Sequence, residues 1–246
     1  MKKIIGYIVA CSFIVVLNGC DSPAVPSAHN DHSSTIQTFS EETGIYIVQA
    51  DYPKLDYSEK INSMIKEEID TEIDLFIEEA KSLELTKEEI EEKNYGKSGL
   101  WITYEIYRMD DMYLSIAFDS SIYNSGAAHP YSYTWVFNYD VQRDKELFLI
   151  DMFVPDTMFW EAISSVVVPK LNKKLYGDTT IEDEWIAEGA GPDPQHFHAF
   201  TITEDSFVFH FAPYEVAAYA AGPQRITVPF SELDAILMPE WAPTKR

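Results

Sequence analysis

The pattern of apolar residues predicts an α+β domain, with a mostly antiparallel sheet and two principal helices packed on it. One long segment repeats apolar residues at spacings of three and four, which is the period of an amphipathic helix. Several later segments alternate apolar and polar residues, as strands with one buried face do. The helical and strand segments are grouped instead of alternating regularly, and this favours an antiparallel sheet over a parallel one.

The first principal helix is predicted to begin at Ser58, because serine followed by Glu59 suits a helix start. Acidic residues and lysines cover its other face, which is the usual composition of a solvent-exposed helix face. A β-branched and aromatic run at residues 45–48, closed by Pro53, predicts a strand before this helix. The apolar face expected to pack on the sheet consists of Ile61, Ile65, Ile69, Ile73, Phe76, Ala80 and Leu83.

The later elements follow from alternation and turn residues. Residues 101–107 and 113–118 flank a turn at 109–111, and this arrangement predicts a hairpin with aromatic cross-strand contacts. The second principal helix is predicted over residues 158–175, with an apolar side formed by Phe159, Ile163, Val166, Val167 and Leu171. Further strands are predicted at residues 131–139, 146–149, 199–203, 206–211 and 226–229.

The first twenty residues are typical of an export signal. Two lysines precede an apolar run at residues 4–17, which is too short for a membrane-spanning helix of about 20 residues. The run ends in Leu-Asn-Gly-Cys, which resembles the bacterial lipobox and predicts cleavage after residue 19 and lipidation of Cys20. The alternative is an ordinary signal peptide with an incidental cysteine. Lipidation would anchor the exported chain to a membrane.

Three segments are therefore predicted: a lipoprotein signal peptide at 1–19, a lipidated Cys20 with a flexible tether at 20–42, and one α+β domain at 43–240. The tether is rich in serine and proline and has few large apolar side chains. The exported domain would face the periplasm or the cell wall. In a Gram-negative host, Asp21 would retain it at the inner membrane.

The composition excludes several classes of function. The chain has 41 acidic against 18 basic residues and a formal charge of -23, so it would repel nucleic acid. A 46% share of hydrophobic residues argues against disorder. No Walker loop, dinucleotide fingerprint, Gly-x-Ser-x-Gly or His-Glu-x-x-His is present, so no cofactor is predicted and an enzyme is not favoured.

Two segments carry a family resemblance. One is Gly-Ala-Ala-His-Pro at residues 126–130, followed by an aromatic strand and Phe-Asn-Tyr-Asp at 137–140. The other runs from Phe211 to Pro223 and is closed by Ile-Thr-Val-Pro at 226–229. In their order, spacing and residue sequence, these segments resemble the extracytoplasmic domain of RsiV-type anti-sigma factors. A similar domain precedes the catalytic domain of PdaC-type peptidoglycan deacetylases.

In RsiV-type proteins this domain binds lysozyme, so the resemblance implies a binding module for a lysozyme-like muramidase or for peptidoglycan. On this resemblance we expect only the extracytoplasmic module, without the sigma-binding and transmembrane segments of the one family or the deacetylase domain of the other. Its acidic charge would attract a basic muramidase, although solubility alone explains the charge equally well. The candidate contact residues lie in the turn and the loop that carry the resemblance: His129, Pro130, Pro213, Tyr214, Glu215, Tyr219 and Gly222.

Two alternatives to a binding module stay open. His196 and His198 would share one face of a strand, and with a nearby carboxylate they could ligate zinc in a cell-wall glycan hydrolase or deacetylase. The chain could also be an accessory envelope protein of unknown ligand. For the loop itself, tyrosines and alanines suit a recognition surface and a packed core equally well.

Overall fold

A computed structural model describes residues 32–177 and 183–242. Over these residues the chain forms nine strands and four α-helices. The helices are α1 Glu59–Ser82, α2 Lys87–Glu92, α3 Phe159–Tyr176 and α4 Glu184–Gly189. The strands are β1 Ser34–Glu42, β2 Tyr46–Leu55, β3 Ser98–Met109, β4 Tyr113–Tyr123, β5 Tyr131–Asp140, β6 Lys145–Glu146, β7 Phe200–Ile202, β8 Ser206–Phe211 and β9 Gln224–Pro229. Within this part of the chain, no helix has the length and apolar character needed to cross a membrane.

The larger sheet contains six strands in the order β1-β2-β3-β4-β5-β6. All its pairings are antiparallel except that between β2 and β3, where α1 and α2 form the crossover that a parallel pair requires. The smaller sheet is an antiparallel β7-β8-β9 unit. The predicted class, α+β with a mostly antiparallel sheet and two principal helices, is confirmed.

Helix α1 covers one face of the larger sheet. It begins where the Ser58 hydroxyl accepts the Ile61 N–H at 3.2 Å, as the sequence predicts. The predicted apolar face is buried from Ile61 to Ala80, where it packs on β2 to β5. Leu83 is the exception at 37% exposure, because the helix ends one residue before it.

The smaller sheet packs on the opposite face of the larger one, and α3 covers the smaller sheet with its predicted apolar side. Two buried side chains join the sheets: Ser115 on β4 accepts the Ile202 N–H at 2.9 Å, and the Asn138 amide on β5 donates to the Phe200 carbonyl at 2.8 Å. Strand alternation places both side chains opposite α1. This sheet-on-sheet packing leaves the other end of the same face uncovered by strands.

The structure corrects the predicted tether. Residues 34–42 are not a flexible tether but strand β1, which pairs along its whole length with β2. As an edge strand with no fully buried side chain, β1 needs few apolar residues, which is why its composition resembles that of a linker. The predicted signal peptide, Cys20 and the first part of the tether lie outside the described residues. The strand predicted at 146–149 is also shorter, because only Lys145 and Glu146 pair with β5.

Candidate binding cleft

The two segments that carry the family resemblance meet in space, although they are far apart in sequence. The imidazole of His129 stacks on the ring of Tyr219, with centroids 4.1 Å apart and an interplanar angle of 26°. Its Nε2 lies 3.4 Å from the Tyr214 hydroxyl, and the rings of Tyr214 and Tyr219 are 5.6 Å apart. The predicted turn and loop therefore form one surface.

The stacked rings continue to Trp185 on α4, which the sequence analysis did not identify. The indole of Trp185 stacks on Tyr214 at 6.4 Å, and its N–H donates to the Tyr214 carbonyl at 2.6 Å. We call His129, Tyr219, Tyr214 and Trp185 the aromatic row. Tyr214 is 49% exposed and Trp185 39%, so the row presents ring surface to solvent.

The loop at residues 212–223 is held in shape by its own contacts. The Glu215 carboxylate accepts the Ala212 N–H at 2.7 Å, and the Tyr214 N–H donates to the Ala217 carbonyl at 3.1 Å while Tyr214 adopts a φ of 76°. Val216 and Ala217 are buried. Glu215 therefore serves the architecture of the loop, whereas Tyr214 is exposed.

Two further contacts position this surface. The Pro130 carbonyl accepts a hydrogen bond from Nδ1 of His129 at 2.9 Å, which leaves Nε2 facing Tyr214. At the end of α4, a Cβ on Gly189 would lie 1.8 Å from the Glu215 carbonyl oxygen. Glycine is thus required where α4 meets the loop.

A cleft of about 600 Å³ lies between this loop and the uncovered part of the larger sheet. Three strands supply side chains to its floor: Trp101, Thr103, Asp119, Ser121, Ser132 and Thr134. The loop supplies the wall, which includes three residues that the sequence analysis selected: Pro213, Tyr219 and Gly222. The cleft thus combines aromatic rings with a row of hydroxyls.

Trp101 is the largest side chain of the floor and is 38% exposed. Its six-membered ring lies against Gly99, two residues earlier on the same face of β3, and a Cβ on Gly99 would approach the ring to 2.1 Å. Because Gly99 has no side chain, the indole can lie along the strand as a platform. The sequence pattern predicts Trp101 on a strand but does not indicate a site there.

Asp119 is the one charged residue among the described residues that line the cleft. One of its oxygens accepts the Thr134 hydroxyl at 2.6 Å, and the other accepts the Arg225 guanidinium at 2.7 Å. Arg225 also donates to Glu105 at 2.8 Å. A single guanidinium therefore serves two carboxylates, and the group keeps a net negative charge at the cleft.

The histidines proposed as zinc ligands do not lie on a strand. They occupy the 3-10 turn Pro194–Phe197 and the residue after it, so the expected strand face is wrong. Asp193 caps this turn by accepting the Gln195 N–H at 2.8 Å, and the local prolines and caps favour the turn over a strand. Nδ1 of His196 is bonded to the Gly191 carbonyl and Nδ1 of His198 to the Gln195 carbonyl. Across residues 32–177 and 183–242, no group of three His, Cys, Asp or Glu side chains is arranged to hold a metal ion.

Known proteins match both halves of this domain. The family model described as "Deacetylase PdaC" matches residues 39–132, and the model described as "Protein of unknown function (DUF3298)" matches residues 150–231. These matches confirm the resemblance to PdaC-type deacetylases. The resemblance to RsiV-type anti-sigma factors stays a prediction.

The chain spans less than half of the length of the curated relatives that it matches. The peptidoglycan-N-acetylmuramic acid deacetylase PdaC of Bacillus subtilis is 28% identical over 184 residues, which are 75% of this chain and 38% of that protein. Immunogenic protein MPT64 of Mycobacterium tuberculosis is 31% identical over 46% of this chain and 48% of its own. A crystal structure of a DUF3298 family protein from Pseudomonas aeruginosa has a TM-score of 0.60 at 16% identity, with 87% of this chain and 97% of that chain covered. That structural likeness shows the shared fold.

Proposed function

We propose that this chain is an extracytoplasmic binding module that holds cell-wall glycan in the cleft. The observation that carries the proposal is the cleft itself, about 600 Å³ in volume, with the Trp101 ring as a platform among serine and threonine hydroxyls. A sugar ring presents C–H groups on its faces and hydroxyls on its rim. The C–H groups suit the electron-rich face of an aromatic ring, and the hydroxyls suit Ser and Thr side chains.

Two further points support a cell-wall ligand. The volume lies in the range of about 300–1,000 Å³ that is usual for small-molecule sites. The relative PdaC carries peptidoglycan N-acetylmuramic acid in its name. The family model described as "Deacetylase PdaC" matches a range that includes strands β3 and β4, which contribute to the cleft floor. On this proposal, the signal peptide at 1–19 exports the chain, lipid on Cys20 anchors it, and the folded domain begins at β1.

Replacing Trp101 by alanine is expected to weaken binding of a soluble disaccharide-peptide fragment of peptidoglycan by about tenfold or more. Truncation of a tryptophan that anchors a binding site typically costs about 2 kcal/mol or more, which is more than tenfold in affinity. Isothermal titration calorimetry would measure the change. The melting temperature should stay near that of the wild type, because the Trp101 ring lies on the surface of the sheet.

The matched control is Phe148→Ala, which removes an aromatic ring that is 59% exposed and is not among the residues described as lining the cleft. It should leave the affinity unchanged. Equal binding by wild type and Trp101→Ala would remove the cleft as the glycan site, and no binding by the wild type would remove the proposed ligand.

A lysozyme-like muramidase is a second candidate partner, and the exposed aromatic row is the observation that favours it. Exposed rings at the centre of a surface are frequent anchors of protein interfaces, and the acidic chain would attract a basic partner. Nothing in the cleft requires a protein ligand, so this candidate depends on the row and on the RsiV-type resemblance.

Titration of residues 21–246 with a c-type lysozyme, at low and at high salt, tests this second candidate. Specific recognition predicts one-to-one binding that survives high salt and weakens by about tenfold in Tyr214→Ala. Binding that disappears with salt would be simple charge attraction, and would eliminate the aromatic row as a specific interface. Loss of the fold in both Tyr214→Ala and Tyr219→Ala would instead assign those rings to the core.

A further inference from the structure

We infer that the cleft selects amino sugars whose nitrogen is a free, protonated amine over their N-acetylated counterparts. This inference rests on the proposed glycan function and concerns the ligand class of the same cleft. It starts from the charge of the lining: Asp119 is the one ionisable carboxylate, and no lysine or arginine is present among the described lining residues. The ligand group that complements such a lining is a cation that also fits between hydroxyls and aromatic rings.

The Asp119 carboxylate has capacity for a ligand. A carboxylate offers about four acceptor positions, and the described contacts of Asp119 use two of them, for Thr134 and Arg225. Its side chain lines the cleft and is 44% exposed, so a ligand can approach the carboxylate. An ammonium group offers three donors, whereas an acetamido nitrogen offers one and carries a carbonyl that a carboxylate repels.

The surrounding charges do not cancel this preference. Arg225 bridges Asp119 and Glu105, so two carboxylates share one guanidinium. The Lys174 ammonium donates to the backbone carbonyl of Arg225 at 3.1 Å, and neither carboxylate is among its described partners. His210, which faces Arg225 across the β8–β9 pair, stays neutral because burial lowers its pKa to about 4. The group around Asp119 therefore keeps an unbalanced negative charge.

The position of Asp119 would let its carboxylate contact a substituent of a sugar that stacks on Trp101. Asp119 lies on β4 between Thr103 on β3 and Thr134 on β5, with Trp101 at the next position along the same face. A sugar ring on the indole would thus present its edge to a carboxylate set among hydroxyls. The class of reaction that supplies such a ligand is hydrolytic N-deacetylation, in which water cleaves the amide bond, acetate leaves, and the amine takes up a proton.

The test measures the binding of three β-1,4-linked tetrasaccharides to the full exported chain. They consist of glucosamine, of N-acetylglucosamine and of glucose. At about 150 mM salt, the glucosamine form should bind about three- to tenfold more tightly than the acetylated form. Asp119→Asn should remove that preference. The acidic chain also attracts any cation non-specifically, so Asp74→Asn, an exposed acid on α1, serves as the matched control and should keep the preference.

The outcomes separate the two proposals. If the glycans bind but acetylation makes no difference, or if Asp74→Asn loses the preference as Asp119→Asn does, the amine inference is overturned and the glycan function stands. If none of the three binds, the amine inference is overturned, and the titration with the peptidoglycan fragment decides the glycan function separately. Should Asp119→Asn not fold, Glu105→Gln provides a second variant, because it keeps Asp119 while removing the excess negative charge, and a reduced preference is then expected.

Discussion

Replacement of Asn138 by alanine is expected to lower the free energy of unfolding by about 2–4 kcal/mol. Its amide donates to the Phe200 carbonyl at 2.8 Å, and its side-chain oxygen accepts the Ser115 hydroxyl at 2.6 Å. Ser115 in turn accepts the Ile202 N–H, so the two side chains satisfy the backbone of β7 across the interface between the sheets. Alanine would leave a buried carbonyl without a donor, which costs about 1–3 kcal/mol, and would add a cavity.

Urea unfolding followed by circular dichroism measures this change, and Ser115→Ala should show a loss of similar origin. The matched control is Ser63→Ala on α1, where the hydroxyl is exposed and bonds only within its own helix. That control should change stability by less than about 0.5 kcal/mol. If Asn138→Ala also stayed within that limit, the polar bridge would not hold the sheets together.

The local elements of this fold could be predicted from the sequence because they depend on neighbours in the chain. The structure confirms the predicted period of α1 and its cap at Ser58. It also confirms the hairpin of β3 and β4 and the helix α3. The turn at 126–130 and the loop at 212–223, which were predicted to form one contact surface, touch through the stacking of His129 on Tyr219. Their role in binding stays a prediction.

Features that depend on distant pairing could not be predicted. Strand β1 is polar because it is an edge strand, so its residues carry no alternation strong enough to separate it from a linker. Trp101 and Asp119 look like ordinary members of strands, since alternation places them on a face but does not show that the second sheet leaves that face open. Trp185 becomes part of the aromatic row only through its contact with a loop 29 residues later.

His210 is expected to make the folded domain lose about 3 kcal/mol of stability as the pH falls from about 6.5 to about 4. The side chain is 3% exposed, its Nε2 is 2.9 Å from the Thr201 hydroxyl, and its Nδ1 has no partner among the described residues. Burial and, to a smaller extent, the positive charge of Arg225 lower its pKa to about 4, although Asp119 acts in the opposite direction. The ring is therefore neutral in the folded state over a range in which the unfolded chain is protonated.

The direction of the effect follows from proton binding. Below about pH 6.5 the unfolded state takes up a proton that the folded state does not, so unfolding is favoured by about 1.4 kcal/mol for each pH unit until the folded pKa is reached. Most paired carboxylates titrate at lower pH, which leaves the window from about 6.5 to 5 for His210. Glu72 opposes the trend, because burial raises the pKa of its carboxyl.

Comparing the wild type with His210→Gln isolates this one group, because Glu72 and the other carboxylates are common to both proteins. Glutamine can keep a hydrogen bond to Thr201 but cannot take up a proton. Urea unfolding at about pH 6.5 and about pH 5 should show a loss in the wild type that is about 2 kcal/mol larger than in the variant. Equal losses would mean that a proton reaches His210 in the folded state, and hence that the interface beside Arg225 opens to water.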